Sequence, residues 1–361
     1  MKYKILITAH NMLEPNSGVG QITLSVKKMY EQLEIFDCTL LDHSSLRFLD
    51  ERLRPLTFPI VVFLKVLLSH VRRDPYDLIH ATTGDTAFLN YLPFASPLVV
   101  VQSHNIEKLS DIQMMDMGHK FSLRYRIFRQ TVIYPLVHLS LKNATLVFVL
   151  SPFELDYIKN RYGEKAFLIQ NTHNLATSYK SKSGNRVVTV GGDNHRKNIS
   201  SVLRVFSQLR SRCSELELVV LGEEAEKVQH LLDSNEGITF IPKYSNKSLA
   251  GILEDCSIFV SLSKSEGFPI FLMEACSQGL VPVLSKIPSH IWFSEQSPFS
   301  ILVDQSDLSV AQGVQAATKV SPAVRMHIVN WAAIHNRSSQ MSIQAREVMN
   351  LLRIRDTSRQ H

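Results

Sequence analysis

Short apolar runs, each long enough for one strand, alternate with stretches of helical periodicity along almost all of the 361 residues. In the first half these runs are Lys4–Thr8, Cys38–Leu41, Leu78–His80, Leu98–Val101, Thr145–Leu150 and Phe167–Ile169. In the second half they are Arg186–Val190, Glu217–Leu221, Ile238–Ile241, Ser257–Leu262, Val281–Leu284 and Ser300–Val303. Amphipathic stretches such as Val19–Leu33, Pro152–Tyr162, Ser200–Leu209 and Leu249–Asp255 lie between them. A parallel strand pair needs a crossover long enough to bring the chain back, and a helix usually supplies it. The alternation therefore predicts an α/β protein, and the length exceeds one ordinary core. The polar segment Thr177–Asn185 (TSYKSKSGN) ahead of a fresh strand, RVVTV, marks the boundary. The expected architecture is two doubly wound Rossmann-like domains, residues 1–176 and 177–337, facing across a cleft. Residues 338–361 form a closing segment with a helix over Ser338–Leu352. In open α/β sheets ligands bind at the carboxyl ends of the strands, so chemistry is sought there.

Composition narrows the class. Hydrophobic residues make up 45% and charged residues 20%, the balance of a globular chain. Cys38, Cys213, Cys256 and Cys276 lie far apart without CxxC spacing, so neither a zinc site nor a disulfide framework is expected. A reducing cytoplasm is the simplest compartment. The opening MKYKILITAH reads as a first strand and not as a signal peptide. The longest apolar stretch, Phe58–Leu68, is interrupted by Pro59 and Lys65 and falls short of the roughly 20 residues of a membrane span. A net charge of +6 favours anionic partners. No carboxylate occurs between Asp116 and Glu154, where Lys120, Arg124, Arg126, Arg129 and Lys142 fall. A stretch of one sign suggests an anionic surface nearby. No stacking platform interleaves these cations, so a nucleic-acid partner is not expected.

The strongest strand-end signal is SIFVSLSKSEGFPIFLMEACSQGLVPVLS, residues 257–285. A strand runs through a short loop into a helix expected from Pro269 to Gln278, with Gly279 as its stop. Glu266 then lies at a strand's carboxyl end. The amides of Gly267 and Phe268, and the helix start at Pro269, can face an anion. Glu274 lies two turns into the helix, where a carboxylate suits the hydroxyls of a ribose. The plain alternatives are a helix-capping Glu266 and a solvated Glu274. A second constellation, Gly191-Gly192-Asp193-Asn194-His195-Arg196-Lys197, follows a strand and opens a helix. Its glycines permit close backbone approach, and Arg196 and Lys197 can neutralise a diphosphate. The turn Asn16-Ser17-Gly18-Val19-Gly20 offers amides at another helix start, with Gly18 and Gly20 as candidates. His104 ends a further strand, in LVVVQSHN.

These motifs, in this order, resemble the family-4 retaining glycosyltransferases of the GT-B fold, whose Glu-x7-Glu motif matches Glu266 and Glu274. PYDLIHATTG, LVVVQSHN, NATLVFVLSPFELDYIKNRYGEKAFLIQN and VVTVGGDNHRKNISSVLRVF resemble further segments of that family. Coverage runs from about residue 1 to about residue 320. The resemblance implies a retaining, metal-independent hexosyltransferase-type enzyme with no cofactor. Its donor is a nucleotide-diphosphate sugar, and its acceptor is a glycan or lipid-linked hydroxyl in cell-surface polysaccharide, lipopolysaccharide or glycolipid synthesis. It implies catalytic roles for Glu266 and His104, with Glu274 on the nucleotide ribose. Donor binding is implied for Gly18, Gly20, Arg196, Lys197, Gly267, Phe268 and Pro269. The first domain takes the acceptor, the second the donor, and the last helix packs back toward the first. The chain departs from the pattern at Gly192, where the family has arginine and where Arg196 is expected to stand in. It departs also at Thr172, where a glycine usually follows the asparagine matched by Asn171. Lys243 and Tyr244 fall where the family's backbone meets the base.

The segment Arg52–Arg73, apolar in the middle and basic at its ends, reads two ways. With Arg124, Arg126 and Arg129 it would place a cytoplasmic protein peripherally on the inner face of an anionic membrane. Equally, it reads as a buried crossover helix with solvated ends. A nicotinamide-dependent Rossmann enzyme is disfavoured, because no GxGxxG follows the first strand and Asp42 alone could serve as the ribose acid. A non-catalytic nucleotide-sugar-binding relative or assembly factor stays open, on the strength of Gly192.

Overall fold

The computed structural model describes residues 2–9, 18–50, 53–171, 173, 175–179, 184–191, 194–222, 236–335 and 337–360. Packing divides the chain into two compact units. One comprises residues 1–110, 120–171 and 338–361, and the other residues 111–119 and 172–337.

In chain order the elements begin with β1 Tyr3–Ala9, α1 Gly18–Gln32, β2 Phe36–Asp42, α2 Arg54–Val71, β3 Leu78–Thr82 and β4 Leu98–Gln102. There follow α3 Glu107–Asp116, α4 Leu123–Phe128, α5 Tyr134–Asn143, β5 Leu146–Val149, α6 Pro152–Tyr162 and β6 Ala166–Leu168. The next are β7 Arg186–Val190, α7 Asn194–Lys197, α8 Ile199–Arg210, β8 Glu217–Leu221, β9 Ile238–Ile241, α9 Asn246–Asp255 and β10 Ile258–Ser261. The last are α10 Ile270–Ser277, β11 Val281–Ser285, α11 Pro288–Gln296, β12 Ile301–Val303, α12 Asp307–Thr318, α13 Pro322–Ile334 and α14 Arg337–Gln360.

The first unit's sheet has the order β2-β1-β3-β4-β5-β6, every described pair parallel. The direction of winding reverses between β1 and β3. The turn that leaves β1, including Asn16 and Ser17, lies outside the described residues. Its far end, Gly18 and Gly20, opens α1, with Gly18 exposed and Gly20 buried. The core gathers Leu6, Ile79, Val99, Val101, Val147 and Val149 from the strands with Phe58, Val62 and Val66 from α2. Helix α14 is tied to this sheet. Gln344 Nε2 donates to Gln102 Oε1 at 2.6 Å, and Arg355 binds the Asp77 carbonyl at 2.8 Å and its carboxylate at 3.0 Å.

The second unit's sheet is also parallel, in the order β12-β11-β10-β7-β8-β9. Counted from β7 this is the 3-2-1-4-5-6 order of doubly wound dinucleotide folds, whose winding reverses between the first and fourth strands. Here those are β7 and β10. The crevice at such a reversal opens where two neighbouring crossovers leave on opposite faces. Helix α8 covers one face through Val202, Leu203, Val205, Phe206 and Leu209. Asn198, at φ 54°, lets the chain break between α7 and α8.

Candidate functional site

Helix α7, which follows β7, and the loop after β10 meet at that reversal. The backbone amide of Lys264 donates to the Arg196 carbonyl at 2.8 Å, and Arg196 Nη1 reaches the Ser265 carbonyl at 3.3 Å. This holds α7 against the strand-to-helix loop 262–269. Glu266 fills the junction with only 7% of its surface exposed. Its Oε2 accepts from Arg196 Nη1 at 2.7 Å, and its Oε1 from Lys197 Nζ at 2.6 Å and Ser263 Oγ at 2.8 Å. Both carboxylate oxygens thus have hydrogen-bond partners, as burying a carboxylate requires. Burial alone pushes the Glu266 carboxyl up, but the charges of Arg196 and Lys197 outweigh it and hold it below the usual carboxylate range. Burial pulls the Lys197 ammonium down, against the raising pull of Glu266. An ionised Glu266 is the direction the geometry supports, since both cations lie within hydrogen-bond distance.

Glu266 is therefore not the cap of the following helix. Helix α10 begins at Ile270 with Pro269 at its N-cap and no side-chain cap bond. This corrects the expected start by one residue: Pro269 precedes the first helical position. Its extended ψ of 117° keeps it outside the helix. Gly279 stops the helix at φ 72°. The stop disfavours a side chain, because its φ is positive and a β-carbon there would lie 2.7 Å from the Tyr179 ring and force it to shift. Glu274 is 4% exposed, so it is not a solvated helical residue. Burial and then the Glu274 charge push the Tyr244 hydroxyl up to about 12, which places this tyrosine within the field of Glu274. Gly267 and Phe268 are buried. The Phe268 ring packs edge-on against Trp292 at 5.6 Å and tilts against Phe293 at 6.3 Å. Its side chain is core, and only its backbone is available to a ligand role.

Two contributors escaped the sequence reading. Ser263, three residues before Glu266, completes the carboxylate's bonding. His290 is fully buried in the first turn of α11, with Nδ1 3.0 Å from the Ser285 carbonyl and 3.2 Å from Ser285 Oγ. Ser285 Oγ in turn donates to the Ser263 carbonyl at 2.6 Å, which joins β11 to the Glu266 loop. The only sequence signal for His290 was its place after a strand and Pro288, a position shared with many structural histidines.

Burial pulls the His290 imidazole down to about 4, against the opposing pull of Glu266. Below pH 6.5 the unfolded chain takes up this proton while the folded chain does not, until about pH 4. Stability therefore falls as pH falls through that window. The His290 contribution is about 2 kcal/mol between pH 7 and pH 5. Denaturant unfolding at the two pH values checks this: His290→Asn is expected to lose about 2 kcal/mol less than the parent. An equal loss in both would rule the histidine out as the source.

In the first unit, His104 follows β4 and lines a small pocket with Thr8, Ile22, Thr23, His80 and Gln102. His80 is buried and bonds Tyr30 at 2.8 Å, and burial, then the neighbouring His104, pull it down to about 3. The loop bearing His104 is fixed by Glu154, which the sequence reading did not single out. Glu154 Oε1 accepts from Ser103 Oγ and from the Ile106 amide, both at 2.9 Å, and Oε2 from the Leu150 amide at 2.8 Å. Asn105 within that loop adopts φ 144°, a conformation sustained by such fixed flanks. Asn171 is buried at the end of the first unit's second segment. Gly192 and Asp193 lie outside the described residues.

Residues 173–291, the segment holding the whole Glu266 constellation, match the family model of glycosyl transferases group 1. The chain has the GT-B fold. A sucrose-phosphate synthase from Thermosynechococcus elongatus superposes with a TM-score of 0.76, covering 98% of this chain and all of that one at 16% identity. Anabaena HepE, solved in complex with UDP-glucose, gives 0.66 over 96% of this chain and 99% of that one at 15% identity. A GDP-mannose:cellobiosyl-diphosphopolyprenol alpha-mannosyltransferase from Xanthomonas campestris is 36% identical over 73 residues, 20% of this chain and 19% of that protein. The matches to the first curated relatives span 19% and 66% of their lengths. The segment match and the shared fold together support a GT-B glycosyltransferase.

Proposed function

We propose that the protein is a retaining glycosyltransferase of family 4, hexosyltransferase in type. It moves a sugar from a nucleotide-diphosphate donor to a hydroxyl on a glycan or lipid-linked acceptor in cell-surface polysaccharide, lipopolysaccharide or glycolipid synthesis. One observation carries this reading: a buried carboxylate, Glu266, clamped between Arg196 and Lys197 at the winding reversal of the second sheet. A diphosphate leaving group gains charge as the glycosidic bond breaks, so fixed cations there help the transition state more than the ground state. In this reading Glu266 lies beside the donor sugar, and Gly267, Phe268 and Pro269 offer backbone to the phosphates. Glu274 holds the ribose. His104 contacts the sugar or the reacting hydroxyl, Gly18 and Gly20 offer amides in the first unit, and the first unit takes the acceptor. Support for a nucleotide-sugar donor comes from HepE, which was solved with UDP-glucose.

Thermal melting with a panel of nucleoside diphosphates and their sugars tests the donor class. A ligand at about a hundred times its Kd stabilises by about 2.7 kcal/mol. Glu274→Ala is expected to weaken the preferred nucleoside diphosphate by about 10- to 100-fold, the worth of hydrogen bonds to a charged group. It should leave inorganic pyrophosphate binding unchanged. A panel without any stabilising nucleotide would remove the donor reading.

Gly192, where the resembling family has arginine, favours one alternative, a non-catalytic nucleotide-sugar binder. Stabilisation by a nucleotide sugar without turnover on any acceptor would select it.

A further inference from the structure

Helix α2 is apolar on two opposite sides. Phe58, Val62 and Val66 enter the first unit's core. On the other side Leu53, just ahead of the helix, and Ile60, Leu64, Leu68 and Val71 are 46–69% exposed. At about 100° per residue these five fall within a stripe about 80° wide, on which Thr57 is the sole polar side chain. A helix facing water on that side would carry polar residues there. The helix is long and apolar enough to cross a membrane by length and composition. Its inner face, however, is part of the domain core, so extracting it would expose Phe58, Val62 and Val66.

A second helix repeats the pattern. None of the α4 residues is buried, and Leu123 and Ile127 are exposed beside Arg124 and Arg126. The helical turn that follows it, residues 129–133, lies against α2, so the two helices are neighbours in the first unit. Neither residues 54–71 nor residues 117–153 contain a carboxylate, while Lys65, Arg72, Arg73, Lys120, Arg124 and Arg126 are exposed within or beside them. Asp74, just past α2, is engaged by Lys4.

We propose that the outer stripe of α2 and the helix α4 dock this protein on an anionic phospholipid bilayer, lying in its interface and not crossing it. Exposed aliphatic side chains reach the acyl boundary, and the surrounding cations meet lipid phosphates. Asp50 and Asp74 flank α2, but within residues 54–71 and 117–153 every formal charge is positive, unlike a protein-protein face, where charges of both signs are usual. A second copy of the chain would bring the same cations against themselves, a repulsive arrangement in a two-fold contact.

The full-length chain is sedimented with vesicles of phosphatidylcholine alone and of phosphatidylcholine mixed with phosphatidylglycerol. The expected result is binding to the mixed vesicles, much weaker binding to the neutral ones, and release by raised salt. Arg124→Gln/Arg126→Gln lowers the partition on the order of 30-fold, about fivefold for each cation at an anionic surface. Leu64→Gln/Leu68→Gln lowers it on the order of tenfold through lost apolar insertion. These side chains are exposed, and melting curves establish that the variants fold. The wild-type comparison of the two vesicle types is decisive without them. Equal partition on both vesicle types overturns the proposal. So does a dimer in solution that Leu64→Gln/Leu68→Gln dissociates, because a second copy would then cover the stripe.

Discussion

A Glu266→Gln protein is expected to bind its nucleoside diphosphate at least as tightly as the parent while transferring sugar at least about a hundredfold more slowly. The two halves of that expectation come from the same contacts. Arg196 and Lys197 both direct their charge at Glu266, at 2.7 and 2.6 Å. Glutamine keeps the volume and one oxygen acceptor but removes the negative charge. The cations then lack an anion until a diphosphate supplies one, so ligand-free stability falls and ligand-induced stabilisation grows. Turnover falls because the carboxylate assigned to the sugar's side of the site is gone. Calorimetric binding, melting with and without ligand, and initial rates measure the three quantities. Turnover at the parental rate would exclude Glu266 from the chemistry. Ligand stabilisation no larger than the parent's would show that the diphosphate does not use these cations.

Much of the scaffold was legible because the strands of a parallel sheet are buried on both faces. Runs such as RVVTV, ELVVL and VPVLS then stand out as continuous apolar segments, and the structure places a strand on each. The convergence of Glu266 with Arg196 and Lys197 was also legible, since both motifs follow strands that become neighbours in a doubly wound order. Less could be read about what each side chain does once there. Phe268 could bind a ligand or fill the core, and only packing against Trp292 and Phe293 decides for the core. The role of Glu154 rests on tertiary bonds to Ser103 and Ile106, which no local spacing encodes. His290 bonds its near neighbour Ser285, but the link onward to Ser263 and the Glu266 loop appears only in the folded chain. For helix α2 the sequence was balanced between burial and membrane contact because both faces are apolar. The structure puts one apolar face in the core and leaves the other exposed.

Lys197→Ala should weaken the nucleoside diphosphate by about 10- to 100-fold, the worth of one charge-assisted contact. It also disturbs the fold, and the two effects can be separated. Lys197 is one of three donors to a carboxylate that is almost fully buried, with Arg196 and Ser263 as the others. Among the described residues, removing it leaves Oε1 with only the Ser263 hydroxyl, and breaking a buried pair from one side costs about 3–5 kcal/mol. Arg196, a third exposed, softens that cost without cancelling it. In Lys197→Ala/Glu266→Gln the uncompensated charge is removed as well, so most of the lost stability should return. Affinity should not return, because the cation that meets the phosphate is still missing. The coupling between the two positions is therefore large for unfolding and small for diphosphate binding. Urea midpoints and calorimetric titrations of the parent, both single variants and the double variant measure the two couplings. If affinity recovers with stability in the double variant, Lys197 serves to hold Glu266 in place, and the diphosphate contact must be sought at Arg196.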